Sequence, residues 1–177
     1  MTSKLIVDSI EGRTGATVSL PQDSNYMLDQ WRLSATISDN DTTLTGWERP
    51  DDSSFGRIGT GMTESSGIFT FPSTGVYLVT ANVRIYIEGT DATAGYVVKV
   101  STDGGSSSDT IASAYEGDTS ANDSNTSASS SSLINVTNAS LFQVFIKSDA
   151  LSTNSTIRGD TSENQTMITF ERKGPSQ

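Results

Sequence analysis

The sequence predicts an all-β domain of the sandwich or jelly-roll class, and three observations support this prediction. Only 33% of the 177 residues are hydrophobic, and Ser, Thr, Asn, Asp and Gly, which favour strands and turns over helices, dominate the remainder. Several segments alternate apolar and polar residues, whereas none keeps an apolar spacing of three and four over three helical turns. The chain contains about eight to ten such strand segments without a repeat of fixed period, which favours a sandwich over a propeller.

The composition excludes several classes of function. Without Cys the chain has no disulfide, thiolate metal site or cysteine nucleophile, and without His it has no Ser-His-Asp triad. A net charge of −10 opposes contact with a phosphate backbone, so we expect no nucleic-acid partner. The first residues lack the apolar core of a signal peptide, and no apolar run is long enough to span a membrane. We therefore expect a soluble protein that needs no cofactor and no membrane.

The first element is a hairpin predicted within residues 1–22. Its strands cover 4–10 and 16–20, and Gly12 and Gly15 allow positive φ angles in the turn between them. Its apolar residues are Leu5, Val7, Ile10, Val18 and Leu20. A free hairpin of this size is marginally stable, so it should pack on the main domain, a symmetry mate or another protein. Alternatively, it is simply the first hairpin of the core sheet.

The second element is a half-buried strand in the segment QWRLSATI. Apolar residues occupy alternate positions there, namely Trp31, Leu33, Ala35 and Ile37. A loop-rich segment follows, and its anchoring apolar residues are Leu44, Trp47, Phe55 and Ile58. This segment leads into the most regular strand of the chain.

That regular strand runs from Val76 to Ile87. Apolar residues occupy every odd position from Tyr77 onward, and side chains alternate across a strand, so we expect the odd face to form the core. The even face begins with Val76 and Leu78 and is polar until Tyr86. Two explanations are open: the chain's own loops cover this face, or it meets symmetry mates at an oligomer axis. In the second case Val76, Leu78 and Tyr86 are candidate interface residues.

The C-terminal half predicts further strands around one polar segment. A hairpin with a turn at 103–105 is followed by the low-complexity segment 117–132, which we interpret as a surface loop suited to contact with a partner. Strands are then predicted at 133–136 and 141–148. In the last strand, one side carries Met167, Thr169 and Glu171, and the other carries Ile168, Phe170 and Arg172.

The segment FTFPSTGVYLV resembles a characteristic segment of the complement-type globular head domain, which is related to the jelly roll of tumour necrosis factor. Phe69, Gly75 and Tyr77 match at the family spacing, whereas Val79 and Ala81 stand where aromatic residues are usual. Two later segments, VTNASLFQVFIKSD and TMITFERKG, are similar to the family's final strands. The resemblance implies a compact homotrimer around an axis built from one sheet, to which the regular strand belongs. It also implies that the three matching residues are core residues.

A short hairpin joined to such a head resembles small virion proteins of tailed bacteriophages, especially marine ones. The Ser-, Thr-, Asn- and Gly-rich composition and the lack of Cys fit that setting. By resemblance, residues 1–22 are an arm that attaches to the particle, 23–174 form the head and 175–177 a tail. The implied protein is a non-enzymatic homotrimer, made in the host cytoplasm and displayed on the virion surface as a capsid decoration protein, cement protein or head fibre. Its partners would be other virion proteins, such as the major capsid protein or tail components.

Two other functions are open. The same fold could form the receptor- or glycan-binding tip of a short tail fibre, with loops or the residues Trp31 and Trp47 in contact with a host-surface glycan. A hydrolase could use paired carboxylates, but these must face each other across a bond, which sequence spacing does not show. The pairs are Asp39 and Asp41, Asp51 and Asp52, and Asp118 and Asp123. The segment SDNDTT offers some oxygen ligands for Ca²⁺, although turn formation explains its Asp residues better.

Overall fold

The computed structural model describes residues 26–89, 91–117, 123–152 and 154–177. These residues form eleven β-strands in two antiparallel sheets, which confirms the predicted all-β jelly roll. No helix in this part of the chain is long and apolar enough to cross a membrane. The predicted N-terminal hairpin lies outside the described residues, and so do its apolar residues Leu5, Val7, Ile10, Val18 and Leu20.

The strands follow one another along the chain as β1 (Met27–Leu33), β2 (Trp47–Glu48), β3 (Thr63–Ser65), β4 (Ile68–Thr70), β5 (Gly75–Ile87), β6 (Thr93–Ser101), β7 (Asp109–Gly117), β8 (Ser124–Val136), β9 (Gln143–Asp149), β10 (Thr156–Ile157) and β11 (Met167–Gly174). In the six-stranded sheet, β5 pairs along its whole length with β8. Its other edge pairs with β11 and β10, and β1 and β2 continue beyond β11. The five-stranded sheet has the order β3-β4-β9-β6-β7.

The odd face of β5 forms the centre of the core. Tyr77, Val79, Ala81, Val83, Ile85 and Ile87 are all buried, while the even residues between them are half-buried. Burial on alternate positions over 13 residues is what a strand with one face against a second sheet requires. The same alternation holds in β11, where Ile168 and Phe170 are fully buried.

An aromatic cluster fills the core beside β1 and β4. Trp31, Trp47 and Phe170 surround Phe69, with ring centroids 5.0 to 5.6 Å from its own. Edge-on and tilted arrangements at these distances are the favoured geometry of aromatic pairs. Both tryptophans are therefore core residues, and their rings do not provide a surface on which a sugar could stack.

The prediction of a surface loop at 117–132 is wrong from Ser124 onward, because β8 begins at that residue. Ser residues give no alternation of polarity, so the sequence hides this strand. The segment from Ser124 to Val136 forms a strand because the long edge of β5 provides backbone hydrogen-bond partners along its whole length. A second boundary also differs: β1 ends at Leu33, earlier than predicted, and Ile37 instead bridges to Ile157.

The six-stranded sheet has two distinct ends, named here the Gly75 end and the Ile87 end after the limits of β5. At the Gly75 end β1 begins, since Met27 pairs with Arg172, and the C-terminus also lies there because Gln177 bonds to Asn135. The Ile87 end is formed by the start of β8 and by β10. The described chain thus starts and finishes at the same end of the sheet.

Candidate functional site

The outer face of the six-stranded sheet, which is the side that points away from the core, carries the candidate interface residues. From β5 it receives Val76, Leu78, Thr80, Asn82, Arg84 and Tyr86, all half-buried. Across the sheet its residues stand in rows set by the strand register. The polarity of these rows changes from the Gly75 end to the Ile87 end.

The row through Leu78 is the most apolar. Leu78 lies directly opposite Leu133 of β8, and on its other side the row continues through Glu171 to Leu28 of β1. Leu133 is 65% exposed, which is an unusual degree of exposure for a leucine in a regular strand. Neighbouring Val76 pairs with Asn135, whose side chain is held by Gln177 at 2.8 and 3.0 Å.

A groove lies where the same row ends at β1, between β1 and the loop that precedes β3. This β1 groove has a volume of about 270 Å³, and its walls include Leu28, Gln30, Phe55 and Thr169. Ile58, which bridges to Leu28, is exposed at its side. The apolar row therefore has a protruding leucine at one edge and a partly apolar recess near the other.

The middle of the outer face carries small polar side chains. Thr80 lies opposite Ser131 on one side and Thr169 on the other, and Asn82 lies opposite Ser129. These side chains are short, so they project little from the sheet between the apolar row and the Ile87 end.

Tyr86 differs from Val76 and Leu78 because it has polar partners within its own chain. Its hydroxyl donates to Asp123 at 2.5 Å, and the guanidinium of Arg158 lies 4.6 Å from its ring centroid. The hydrogen bond raises the pKa of Tyr86 and lowers that of Asp123. These contacts account for the tyrosine without a second subunit.

The three residues of the family-like segment lie inside the domain. Phe69 and Tyr77 are fully buried, and the hydroxyl of Tyr77 donates to the Ser73 carbonyl at 2.9 Å. A Cβ atom at Gly75 would lie 2.5 Å from Nε of Arg172, so this close approach requires glycine. Their roles are to shape the turn and the core, and they are not part of the outer face.

The predicted carboxylate pairs do not form a catalytic arrangement among the described residues. Asp51 pairs with Arg32 at 2.7 Å, Asp52 accepts from Ser54, and Asp41 pairs with Lys147. Hydrogen bonds to these partners lower the pKa of all three carboxyls. Nowhere in the described residues do three or more acidic side chains come together in a way that could hold a metal ion.

The sequence did not reveal Leu133 as a surface residue. Its exposure depends on the register between β8 and β5, and a run of Ser residues leaves that register undetermined. The only sequence signal was a leucine that directly follows a polar tract. The structure adds this side chain to Val76 and Leu78 as a candidate for subunit contact.

Comparisons with known proteins identify the fold. No family model matches the sequence, and no curated protein matches it. Among solved structures, murine APRIL at pH 8.5 is 17% identical, with 84% of this chain and 99% of that chain covered and a TM-score of 0.60. Eiger TNF from S. frugiperda is 14% identical, with 86% and 95% covered and a TM-score of 0.63. At such low identity the similarity shows the fold alone, and that fold is the jelly roll of the tumour necrosis factor type.

Proposed function

We propose that this chain forms a non-enzymatic homotrimer in which the Leu78 row of the outer face, near the Gly75 end, meets neighbouring copies. The observation that carries the proposal is the pairing of Leu78 with the 65% exposed Leu133 in the most apolar row of that face. Burial of one leucine side chain contributes roughly 1.5–3 kcal/mol, and a trimer would bury three copies of Leu133.

The partner of Leu133 is the β1 groove of a second copy. Both features lie in the same row, but three strand spacings of about 4.8 Å separate them by about 14 Å within one chain. The leucine cannot reach its own groove, whereas the groove of a neighbour is free to receive it. A contact between two different surfaces of one chain can close into a ring, and the family resemblance implies a ring of three.

We extend this proposal to a phage particle. The Ser-, Thr- and Asn-rich exterior, the absence of Cys and the resemblance of residues 1–22 to a virion attachment arm support it. The described chain begins at the Gly75 end, so the arm would join the head there. In this setting the protein decorates or cements a capsid, or forms a head fibre, and its partner is another virion protein.

The oligomer is tested by light scattering of the full chain, which should give the mass of three 18.7 kDa chains. Leu133→Asp should give monomers, because a carboxylate in a subunit contact would be buried without a partner. Leu141→Asp is the matched control, since Leu141 is an exposed leucine in the turn between β8 and β9. A wild-type monomer or dimer, or a trimeric Leu133→Asp variant, would overturn the proposal.

A further inference from the structure

The Ile87 end of the outer face contains a polar cavity of about 360 Å³ with two arginines in its wall. Arg84 comes from β5, and Arg158 follows β10. The other polar side chains of the wall are Thr36, Asn125, Asp160 and Gln165. This arginine pocket lies outside the apolar row, at the opposite end of the sheet from the first described residues.

Backbone contacts fix the pocket walls. The amide of Arg158 donates to the carbonyl of Arg84 at 2.9 Å, which holds the two arginines next to each other. A Cβ at Gly159 would lie 2.4 Å from the Ala35 carbonyl oxygen, so glycine lets this segment pack directly on the chain beyond β1. The amide of Asp160 also donates to the Leu33 carbonyl at 2.9 Å. The pocket is thus preformed, which limits the ordering cost of binding.

The two guanidinium groups have no carboxylate partner among the described residues of the chain. Arg158 is positioned over the Tyr86 ring, which leaves its N–H edge available to a ligand. Asp160 is the one acidic side chain in the wall, and amides of Ser162 and Glu163 donate to its Oδ1 at 2.6 and 3.0 Å. The wall therefore carries a net positive charge on a chain whose net charge is −10.

We propose that the arginine pocket binds a saccharide that carries a carboxylate. A planar guanidinium matches a carboxylate through two parallel hydrogen bonds, and two arginines side by side provide more than one such fork. The amides of Asn125 and Gln165 and the hydroxyl of Thr36 can exchange hydrogen bonds with sugar hydroxyls. The volume falls within the range of about 300–1,000 Å³ of small-ligand sites, and the polar wall disfavours an apolar ligand.

This proposal is independent of the trimer and of the particle. From Leu78, which pairs with Leu133, to Arg84 the strand extends six residues, or about 20 Å at 3.3 Å per residue. The pocket is therefore well separated from Leu133 and from the point where the arm would join. A ligand site at this end remains accessible even if the Gly75 end is covered.

The test is a calorimetric or NMR titration of the full chain with glucuronate, with glucose and with sulfate. Glucuronate should bind, glucose should bind about tenfold more weakly or not at all, and sulfate should be weaker than glucuronate. Absence of glucuronate binding would overturn the proposal. Equal binding of sulfate would show a general anion site and would overturn the assignment to a saccharide.

Variants locate the binding. Arg84→Gln and Arg158→Gln should each lower glucuronate affinity about tenfold or more, whereas Arg57→Gln, a change at an exposed arginine outside the pocket, should not. Asn125→Ala should weaken glucuronate binding but leave sulfate binding unchanged, because the side-chain amide of Asn125 would hydrogen-bond to sugar hydroxyls, which sulfate lacks. Thermal unfolding of each variant checks that it is folded, and retained affinity in folded Arg84→Gln and Arg158→Gln would overturn the proposal.

Discussion

The guanidinium of Arg49 donates to both carboxylate oxygens of Asp29, each at 2.9 Å, and Asp29 is fully buried. The same carboxylate accepts from Trp31 Nε1 at 3.0 Å and from the Met62 amide at 2.8 Å. The guanidinium also lies 4.0 Å from the Trp31 ring centroid. The buried Asp29 carboxylate thus links β1 to Arg49 and Met62, which lie between β2 and β3. In the described residues, Arg49 is its only ionic partner.

We expect Arg49→Met to lower the free energy of unfolding by about 3–5 kcal/mol, because Asp29 would keep its charge in the core without the countercharge. Addition of Asp29→Asn removes that charge, so the double variant should be more stable than Arg49→Met alone. Urea denaturation at one fixed chain concentration measures both changes. Lys173→Met is the matched control, since it breaks the exposed pair with Glu171 and should cost about 0–1 kcal/mol. A cost for Arg49→Met no larger than this control would contradict the assignment.

Gly75→Ala should destabilise the head by about 1–3 kcal/mol, because its Cβ would lie 2.5 Å from Arg172 Nε and 2.8 Å from the Gly174 carbonyl. Gly174→Ala, in the strand beside it, is the control because nothing lies within 4 Å of that added Cβ. Thermal melts of both variants at one chain concentration provide the measurement. If the two alanine variants have the same melting temperature, the close approach at Gly75 does not constrain the fold.

The turn between β6 and β7 should make stability depend on pH in the acid range. Hydrogen bonds from Ser107 and then Ser101 lower the pKa of Asp103 to about 2, from an ordinary value of about 3.9. Because the folded pKa is depressed, this contribution is fully present above about pH 4 and is lost as the pH falls towards 2. Asp103→Asn should therefore be less stable than wild type at neutral pH, and the difference should disappear near pH 2.

Ser107→Ala provides the matched variant, because it removes the main donor and leaves the carboxylate in place. It should raise the pKa of Asp103 towards its ordinary value and shift the loss of stability to higher pH. Denaturation curves between about pH 7 and pH 2 give both comparisons. A stability difference for Asp103→Asn that is the same throughout this range would exclude the predicted linkage.

Deletion of residues 1–22 should leave a folded trimeric head that no longer joins particles. The head has its own continuous core from Met27 to Phe170, so its circular dichroism and melting temperature should change little. Co-sedimentation with particles that lack the protein measures attachment. Normal attachment of the shortened chain would refute the arm, and loss of the trimer would show that the arm, not the outer face, joins the copies.

The sequence predicted β5 well because one face of this strand is buried along its whole length. A one-residue shift would move Tyr77 and Ile85 from the core to the outer face. The alternating pattern is therefore compatible with only one orientation of the strand. It also predicted the turn at 103–105 between β6 and β7, where the structure gives Gly104 and Gly105 positive φ angles. These features depend on local residue types alone.

The sequence could not predict β8 or the features that depend on it. Five of the six outward residues of β8 are polar, three of them serines, and polar residues also occupy inward positions, so no local pattern distinguishes this strand from a loop. Leu133 becomes a surface residue only through its register with Leu78. The arginine pocket was equally hidden, since Arg84 and Arg158 are 74 positions apart and meet through a backbone hydrogen bond between β5 and the residue after β10.

The placement of the first described residues and of the arginine pocket at opposite ends of one sheet has a mechanical consequence. A load applied between the arm and a ligand in the pocket would enter through β1 and pass through β11 to Arg84 on β5. Antiparallel ladder hydrogen bonds lie perpendicular to the strands, so this load would shear whole ladders together and would not open them one bond at a time. If residues 1–22 attach to a particle and a ligand fills the pocket, the head would resist tension between the two ends of this sheet.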